Sequence, residues 1–321
     1  AGSRTGNDLI YGSDGASTLK TYGGKDSVYG GGGADKIELG SGNDYVRIVG
    51  GEDYVDGGSG KDYISFYDSN GGVTINLSTD NADGIDIDNF ESAAGSRTGG
   101  DEITGTSGSN TIRTYGGNDR VYTLGGSDKV ELGSGNDYAR VGGGAESFYG
   151  GDGFDYISYY DSSNGVRLDL RDDEASGSWA VNDVVDDFEG ASGSGTGDDV
   201  LLGTNGTTKF RGYGGDDKLY GRGGNDKLYG GDGDDYFDGG ADSDSLYGGA
   251  GADVFHFDKG EDADVVKDFE NNIDTIELDG FAVNFDAFDY AEQVGSDVVF
   301  DFDGGDRLTV ENTSILALRN D

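Results

Sequence analysis

A nine-residue period runs through most of this chain, and nothing else in the sequence restricts its fold as much. At 229–238 the sequence reads Tyr-Gly-Gly-Asp-Gly-Asp-Asp-Tyr-Phe-Asp. The pattern is Gly-Gly-x-Gly-x-Asp-x-U-x, with U large and apolar. A fixed short period means one small unit stacked many times, each turn resting on its neighbours. The repeat occurs 21 times, in three blocks of seven. In block one the sixth position is Asp8, Ser17, Asp26, Asp35, Asp44, Asp53 and Asp62. Block two gives Asp101, Asn110, Asp119, Asp128, Asp137, Glu146 and Asp155. Block three gives Asp199, Thr208, Asp217, Asp226, Asp235, Asp244 and Asp253. Two places earlier stands Gly in 20 of 21 turns, Asp242 being the exception, and two places later stands an apolar residue in all 21.

Each position has a chemical reason. Glycine accepts positive φ, so the Gly-rich half turns tightly and aims backbone carbonyls inward. The aspartate ends the turn with a short, charged oxygen donor. The last three residues form a short strand, with U pointing inward and its neighbours outward. Carboxylate and carbonyl oxygens in number suit a hard cation that takes six to eight of them, which points to calcium.

The repeat resembles that of the RTX family of secreted bacterial proteins. In that family two nonapeptides form one coil of a parallel β-roll, so turns 18 residues apart stack on one edge with calcium between them. The resemblance implies metal ligands at Asp8, Asp26, Asp35, Asp44, Asp53 and Asp62 in block one. In block two it implies Asp101, Asp119, Asp128, Asp137, Glu146 and Asp155. In block three it implies Asp199, Asp217, Asp226, Asp235, Asp244 and Asp253. Twelve stacked pairs are doubly acidic, so about twelve or more Ca2+ ions are expected. Some leading glycines are replaced, by Leu39, Ile48-Val49, Thr123-Leu124 and Val141. Weaker sites are expected near 39–53 and 123–146, and the strongest in block three.

Gly is 64 of 321 residues, Pro, Cys and Met are absent, and the net charge is −42. That charge repels a compact cation-free chain against itself and argues against nucleic acid as a partner. Twelve calcium ions would cancel more than half of it. One large buried side chain per turn is also too little to offset ordering nine residues. Metal bound only by the folded state becomes folding free energy, so a calcium-dependent fold is expected.

Gly95-Ser96-Arg97-Thr98-Gly99 repeats Gly2-Ser3-Arg4-Thr5-Gly6, and a related run opens block three at Gly193. Two related inserts begin Tyr-Asp-Ser at Tyr67 and Tyr160 and then alternate, as Val73, Ile75, Leu77 and as Val166, Leu168, Leu170. Period two predicts strands with one buried face. The fold expected is all-β: three parallel β-rolls separated by short β-rich inserts, with a C-terminal β cap. The boundaries are 1–65 roll one, 66–94 insert, 95–158 roll two, 159–192 insert, 193–256 roll three and 257–321 cap. The tail's alternating runs resemble the cap after the roll in RTX proteases and alginate epimerases, a region that carries the uncleaved type I secretion signal. That resemblance implies the type I secretion machinery as a partner and an extracellular or cell-surface location.

No membrane-spanning run is visible in the sequence. The chain has no Met even at its start, so a processed chain or a part of a longer protein is expected. No catalytic residue is expected. The one histidine, His256, lies between Phe255 and Phe257 and reads as a strand residue. The carboxylate pairs read as metal ligands rather than glycosidase acids. Tyr45, Tyr63, Tyr138, Tyr156 and Tyr236 flank U and should face outward, while Trp179 falls in the second insert. The function expected is a non-catalytic, calcium-folded part of a surface layer, filament or matrix that assembles with itself. Two alternatives are a secretion and targeting module of a larger polysaccharide-acting or proteolytic enzyme, and a glycan-binding adhesin segment that recognises surface polysaccharide.

Overall fold

The computed structural model describes residues 1–177, 179–281, 286–302 and 305–318. The chain is all-β, with short strands wound into a parallel β-solenoid. It divides into two compact units. The first is Ala1–Tyr156 with Asp183–Asp187, and the second is Ile157–Asn182 with Phe188–Asp321.

In the first unit the eighteen-residue register appears directly in the pairing. Strands Leu9–Tyr11, Ser27–Tyr29, Tyr45–Arg47 and Tyr63–Ser65 run parallel, with Ile10, Val28, Val46 and Ile64 in one file. The sheet does not stop where the repeats stop. Insert strand Ser92–Ala94 continues it, Ala93 lying beside Ile64 on one side and Ile112 on the other. The file then runs through Val130, Phe148 and Val185. A second sheet holds Leu19, Ile37, Val55 and Ile87 in register. It also holds Ile75, Ile103, Val121 and Ala139. Val73, Ile75 and Leu77 are buried as the alternation predicts, on a strand that turns back antiparallel through Asn81–Ala82 to Ile85–Asp88.

The second unit repeats the plan. One file is Leu168, Leu201, Leu219, Phe237, Phe255 and Ile276. The other is Ala191, Phe210, Leu228, Leu246, Val266 and Val310. Phe237 and Phe255 stack with ring centroids 5.0 Å apart. The cap adds antiparallel strands Ala291–Val294, Asp297–Asp301 and Arg307–Val310. Arg222 holds the insert with a two-pronged pair, Nη1 to Asp169 Oδ1 at 2.7 Å and Nη2 to Oδ2 at 2.8 Å.

Inside the blocks the glycine two places before the aspartate is favoured for two reasons, which Gly42 illustrates. Gly42 has φ +148, and a side chain there would run into the Gly24 carbonyl of the stacked turn. Asp242, the one exception, also adopts positive φ, at 79. Aspartate tolerates that region better than most residues, and its Oδ2 accepts the Gly224 N–H at 3.1 Å.

Candidate metal sites

The repeat aspartates form ladders inside each unit. Apart from the block openers Asp8, Asp101 and Asp199, each takes the backbone N–H of the sixth-position residue one coil earlier. Asp26 Oδ1 accepts from Asp8 N at 2.8 Å, and Asp44 and Asp62 continue the file at 2.7 Å. Asp35 and Asp53 do the same from Ser17 and Asp35, both at 2.7 Å. In block two Asp119, Asp128, Asp137 and Asp155 accept at 2.7–2.8 Å. In block three Asp217, Asp226, Asp235, Asp244 and Asp253 accept at 2.7–2.9 Å, except that the Thr208–Asp226 bond is 2.5 Å.

The other oxygen has no such partner. Oδ2 is buried and without a hydrogen bond in Asp26, Asp35, Asp44, Asp62, Asp128, Asp137, Asp217, Asp226, Asp235, Asp244 and Asp253. A buried, unpaired carboxylate oxygen costs free energy. A file of them on stacked turns is a donor set awaiting a cation. Backbone oxygens join it. A side chain on Gly212 would collide with both Asp217 Oδ2 and the Gly230 carbonyl, and one on Gly230 with Asp235 Oδ2 and the Gly248 carbonyl. The cradle that the leading glycine leaves open is therefore walled by a carboxylate and a carbonyl from successive coils. All-oxygen, flexible donors in this number fit calcium.

The electrostatics agree. Burial, with neighbouring carboxylates adding to it, pushes Asp235 up to about 8 and Asp217 up to about 7. Burial likewise lifts Asp226 to about 8, and Asp244 and Asp253 to about 6. In block two burial lifts Asp137 to about 7 and Asp128 and Asp155 to about 6. Without a cation these groups hold protons that an ordinary aspartate would have released.

Not every predicted residue is alike. Asp8, Asp101 and Asp199 open their blocks, and each Oδ2 accepts the N–H of Ser3, Ser96 or Ser194, at 2.7, 2.9 and 2.8 Å. The Ser hydroxyls in turn accept from Gly6, Gly99 and Gly197. This is the structural content of the repeated Gly-Ser opening. Glu146 is occupied too: the Thr123 hydroxyl donates to it at 3.2–3.3 Å. The turns led by Leu39, Ile48 and Thr123 keep the same ladder, at Asp44, Asp53 and Asp128. Leu39, Ile48 and Val141 are fully or almost fully buried at that place, and Asp44 and Asp53 keep their N–H bonds.

Carboxylates outside the repeats also join the ladders. Glu91 accepts from Asp62 N at 2.8 Å and Asp183 from Glu146 N at 2.8 Å. Asp264 accepts from Asp244 N at 2.8 Å and Asp274 from Asp253 N at 3.0 Å. A signal for them was present. Glu91-Ser92-Ala93, Asp183-Val184-Val185, Asp264-Val265-Val266 and Asp274-Thr275-Ile276 each keep the acidic-x-apolar half of the repeat without its glycine half.

His256 lies in strand Val254–Asp258 and is half-buried, stacked on Tyr236 at 6.0 Å. Its Nδ1 is 3.8 Å from Glu277 Oε2. Tyrosines form rows along the strands: Tyr11 to Tyr29 at 4.9 Å, Tyr29 to Tyr45 at 6.0 Å and Tyr45 to Tyr63 at 5.9 Å. Trp179 is half-buried in its insert. Among the described residues no helix is long and apolar enough to cross a membrane.

Parallel coils of glycine turns with buried carboxylates stacked on most of them define a calcium-binding β-roll. The profile described as RTX calcium-binding nonapeptide repeat (4 copies) matches residues 4–37, 11–46, 50–67, 97–130, 123–157, 194–228, 211–246 and 229–263. These matches cover more than half of the sequence, and the chain belongs to this family, whose nonapeptide repeats bind calcium. No curated protein matches it. Among solved structures it is similar to the extracellular lipase LipA from Serratia marcescens, at 21% identity and a TM-score of 0.33. That match covers 68% of this chain and 39% of the lipase, so the chain spans well under half of the lipase's length.

Proposed function

We propose that this chain is an extracellular, calcium-folded structural element that builds or anchors a surface assembly. The buried carboxylate files carry the calcium part of the reading. At neutral pH they are unfavourable in a cation-free fold and favourable around calcium, so ordering waits for a compartment rich in the ion. Extracellular calcium modules bind at roughly 10⁻⁴–10⁻³ M, well above cytosolic levels. Export unfolded, through a type I machine, and folding outside are consistent with that. Within each unit the repeats stack as similar coils in one register, which suits a tiled part. A second reading is favoured by the tyrosine rows. Planar side chains at 4.9–6.0 Å along one strand face offer stacking surface for sugar rings, which suits a glycan-binding or substrate-targeting module.

Calcium titration followed by circular dichroism and light scattering separates these readings. A transition from coil to β with growth to regular particles supports assembly. The same transition to a compact monomer that retains oligosaccharide supports the second reading. No transition refutes the calcium reading itself.

A further inference from the structure

We propose that three carboxylates outside the nonapeptide register, Glu91, Asp264 and Asp274, complete calcium sites with the repeat aspartates Asp62, Asp244 and Asp253. The inference rests on the calcium reading of the repeats and extends it to the insert and the cap. Within a block, each rung consists of an aspartate whose N–H bonds the carboxylate one coil on and whose Oδ2 stays free. Asp62, Asp244 and Asp253 are the last such rungs before the register breaks. Each is 1% exposed and keeps a buried Oδ2 with no hydrogen-bond partner. Each N–H nonetheless finds a carboxylate: Glu91 Oε2 at 2.8 Å, Asp264 Oδ1 at 2.8 Å and Asp274 Oδ1 at 3.0 Å.

The neighbouring backbone is in rung geometry as well. Two residues after each new carboxylate, an apolar side chain continues the file: Ala93 beside Ile64, Val266 beside Leu246 and Ile276 beside Phe255. Asp264 and Asp274 are 4% exposed, as buried as the repeat aspartates. Asp268 brings another carboxylate to the last turn, accepting from Gly248 N at 2.8 Å. A buried, unpartnered carboxylate oxygen on a residue whose N–H bonds a second carboxylate calls for a hard divalent cation, and calcium is the one this fold is built around. Glu146 and Asp183 share the N–H geometry, but the Thr123 hydroxyl engages both Glu146 oxygens, so that pair lacks the free donor. The consequence is that the strands Ser92–Ala94, Ala263–Val266 and Thr275–Asp279, which contain no repeat, are fastened to the repeats by calcium.

The test is a count of bound calcium, by equilibrium dialysis at saturation, on the full chain and on Glu91→Gln, Asp264→Asn and Asp274→Asn. Each isostere keeps the oxygen that accepts the N–H, so the ladder hydrogen bond survives, and circular dichroism in excess calcium checks the fold. The expected result is one ion fewer per variant and three fewer in the triple variant, with the exposed control Asp172→Asn unchanged. Counts equal to the parent's in all three variants overturn the proposal while leaving the repeats' calcium intact. A parent that binds no calcium overturns the broader reading and this one together. Should a variant lose its β-structure, hydrogen exchange of the parent decides. Protection of 263–266 and 275–279 is expected to rise with calcium, and protection indifferent to calcium overturns the proposal.

Discussion

Asp235→Asn separates calcium linkage from ordinary packing. Asp235 is 1% exposed; its Oδ1 accepts from Asp217 N at 2.8 Å, and its own N–H bonds Asp253 Oδ1 at 2.9 Å. Asparagine keeps the shape and the Oδ1 acceptor. It removes a charged donor shared by two stacked pairs, Asp217/Asp235 and Asp235/Asp253. An ion bound only by the folded chain adds about 1.4 kcal/mol of stability per tenfold rise in calcium above its Kd. Losing two ions should therefore flatten the dependence of stability on calcium by about 2.8 kcal/mol per tenfold. Phe237→Ala is the contrast. Phe237 is fully buried against Phe255, and its loss should cost about 3–5 kcal/mol by cavity formation without altering that slope. The assay is urea unfolding followed by circular dichroism at several calcium concentrations, starting from roughly 10⁻³ M, the weak end for extracellular modules. A parallel downward shift for Asp235→Asn, with the parent's slope unchanged, would falsify the assignment of calcium to these turns.

Further outcomes follow from the same geometry. Gly230→Ala places a methyl against Asp235 Oδ2 and the Gly248 carbonyl, so the calcium midpoint of folding should rise; an unchanged midpoint would remove the cradle from the argument. Arg222→Ala leaves Asp169 buried without its two-pronged partner and should cost about 3–5 kcal/mol in urea unfolding, with Arg222→Lys recovering only part because lysine cannot reproduce the fork. Acid should favour the calcium-free fold. Asp226 and Asp235 stand at about 8 in the fold against about 4 in an unfolded chain, so between those values the folded chain holds protons the unfolded chain has lost. Their contribution is present below about 4 and disappears as pH rises through about 8, and protein dialysed free of calcium should gain β-structure on acidification, read by circular dichroism.

The coil architecture was legible because its cause is local. Glycine, aspartate and U recur every nine residues, and the sheets pair residues 18 apart, as Leu219 with Phe237 and Phe237 with Phe255. The inserts' buried faces were legible for the same reason, through period two. The ladder's extension into the insert and cap was not. Its partners lie 29, 20 and 21 residues apart, and a search at fixed period cannot follow a coil that lengthens. The backbone N–H needs a carboxylate at one place in space, whatever number of residues the preceding loop contains. The engaged openers Asp8, Asp101 and Asp199 were hidden by a different cause. They carry the same letter as the other rungs, and only the Ser N–H behind them distinguishes their oxygens.

A stacked file of carboxylates solves one problem by creating another. The short turn places each aspartate N–H within reach of the next carboxylate, which satisfies a buried donor on every coil. Repeating that bond stacks acids, and burial pushes Glu146 up to about 8 and Asp264 to about 8. The fold therefore needs a positive partner for the buried rungs: protons suffice in acid, and calcium, which suits all-oxygen donors, suffices at neutral pH. The net charge of −42 makes the same demand across the whole chain. On the proposed reading, folding is conditional on such a partner. Replacing several rung aspartates together by asparagine should relieve the demand, weaken the requirement for calcium and remove the switch, at the expense of the stability that calcium supplies. A many-rung asparagine variant that stays folded without calcium would show that the carboxylates serve the switch more than the shape.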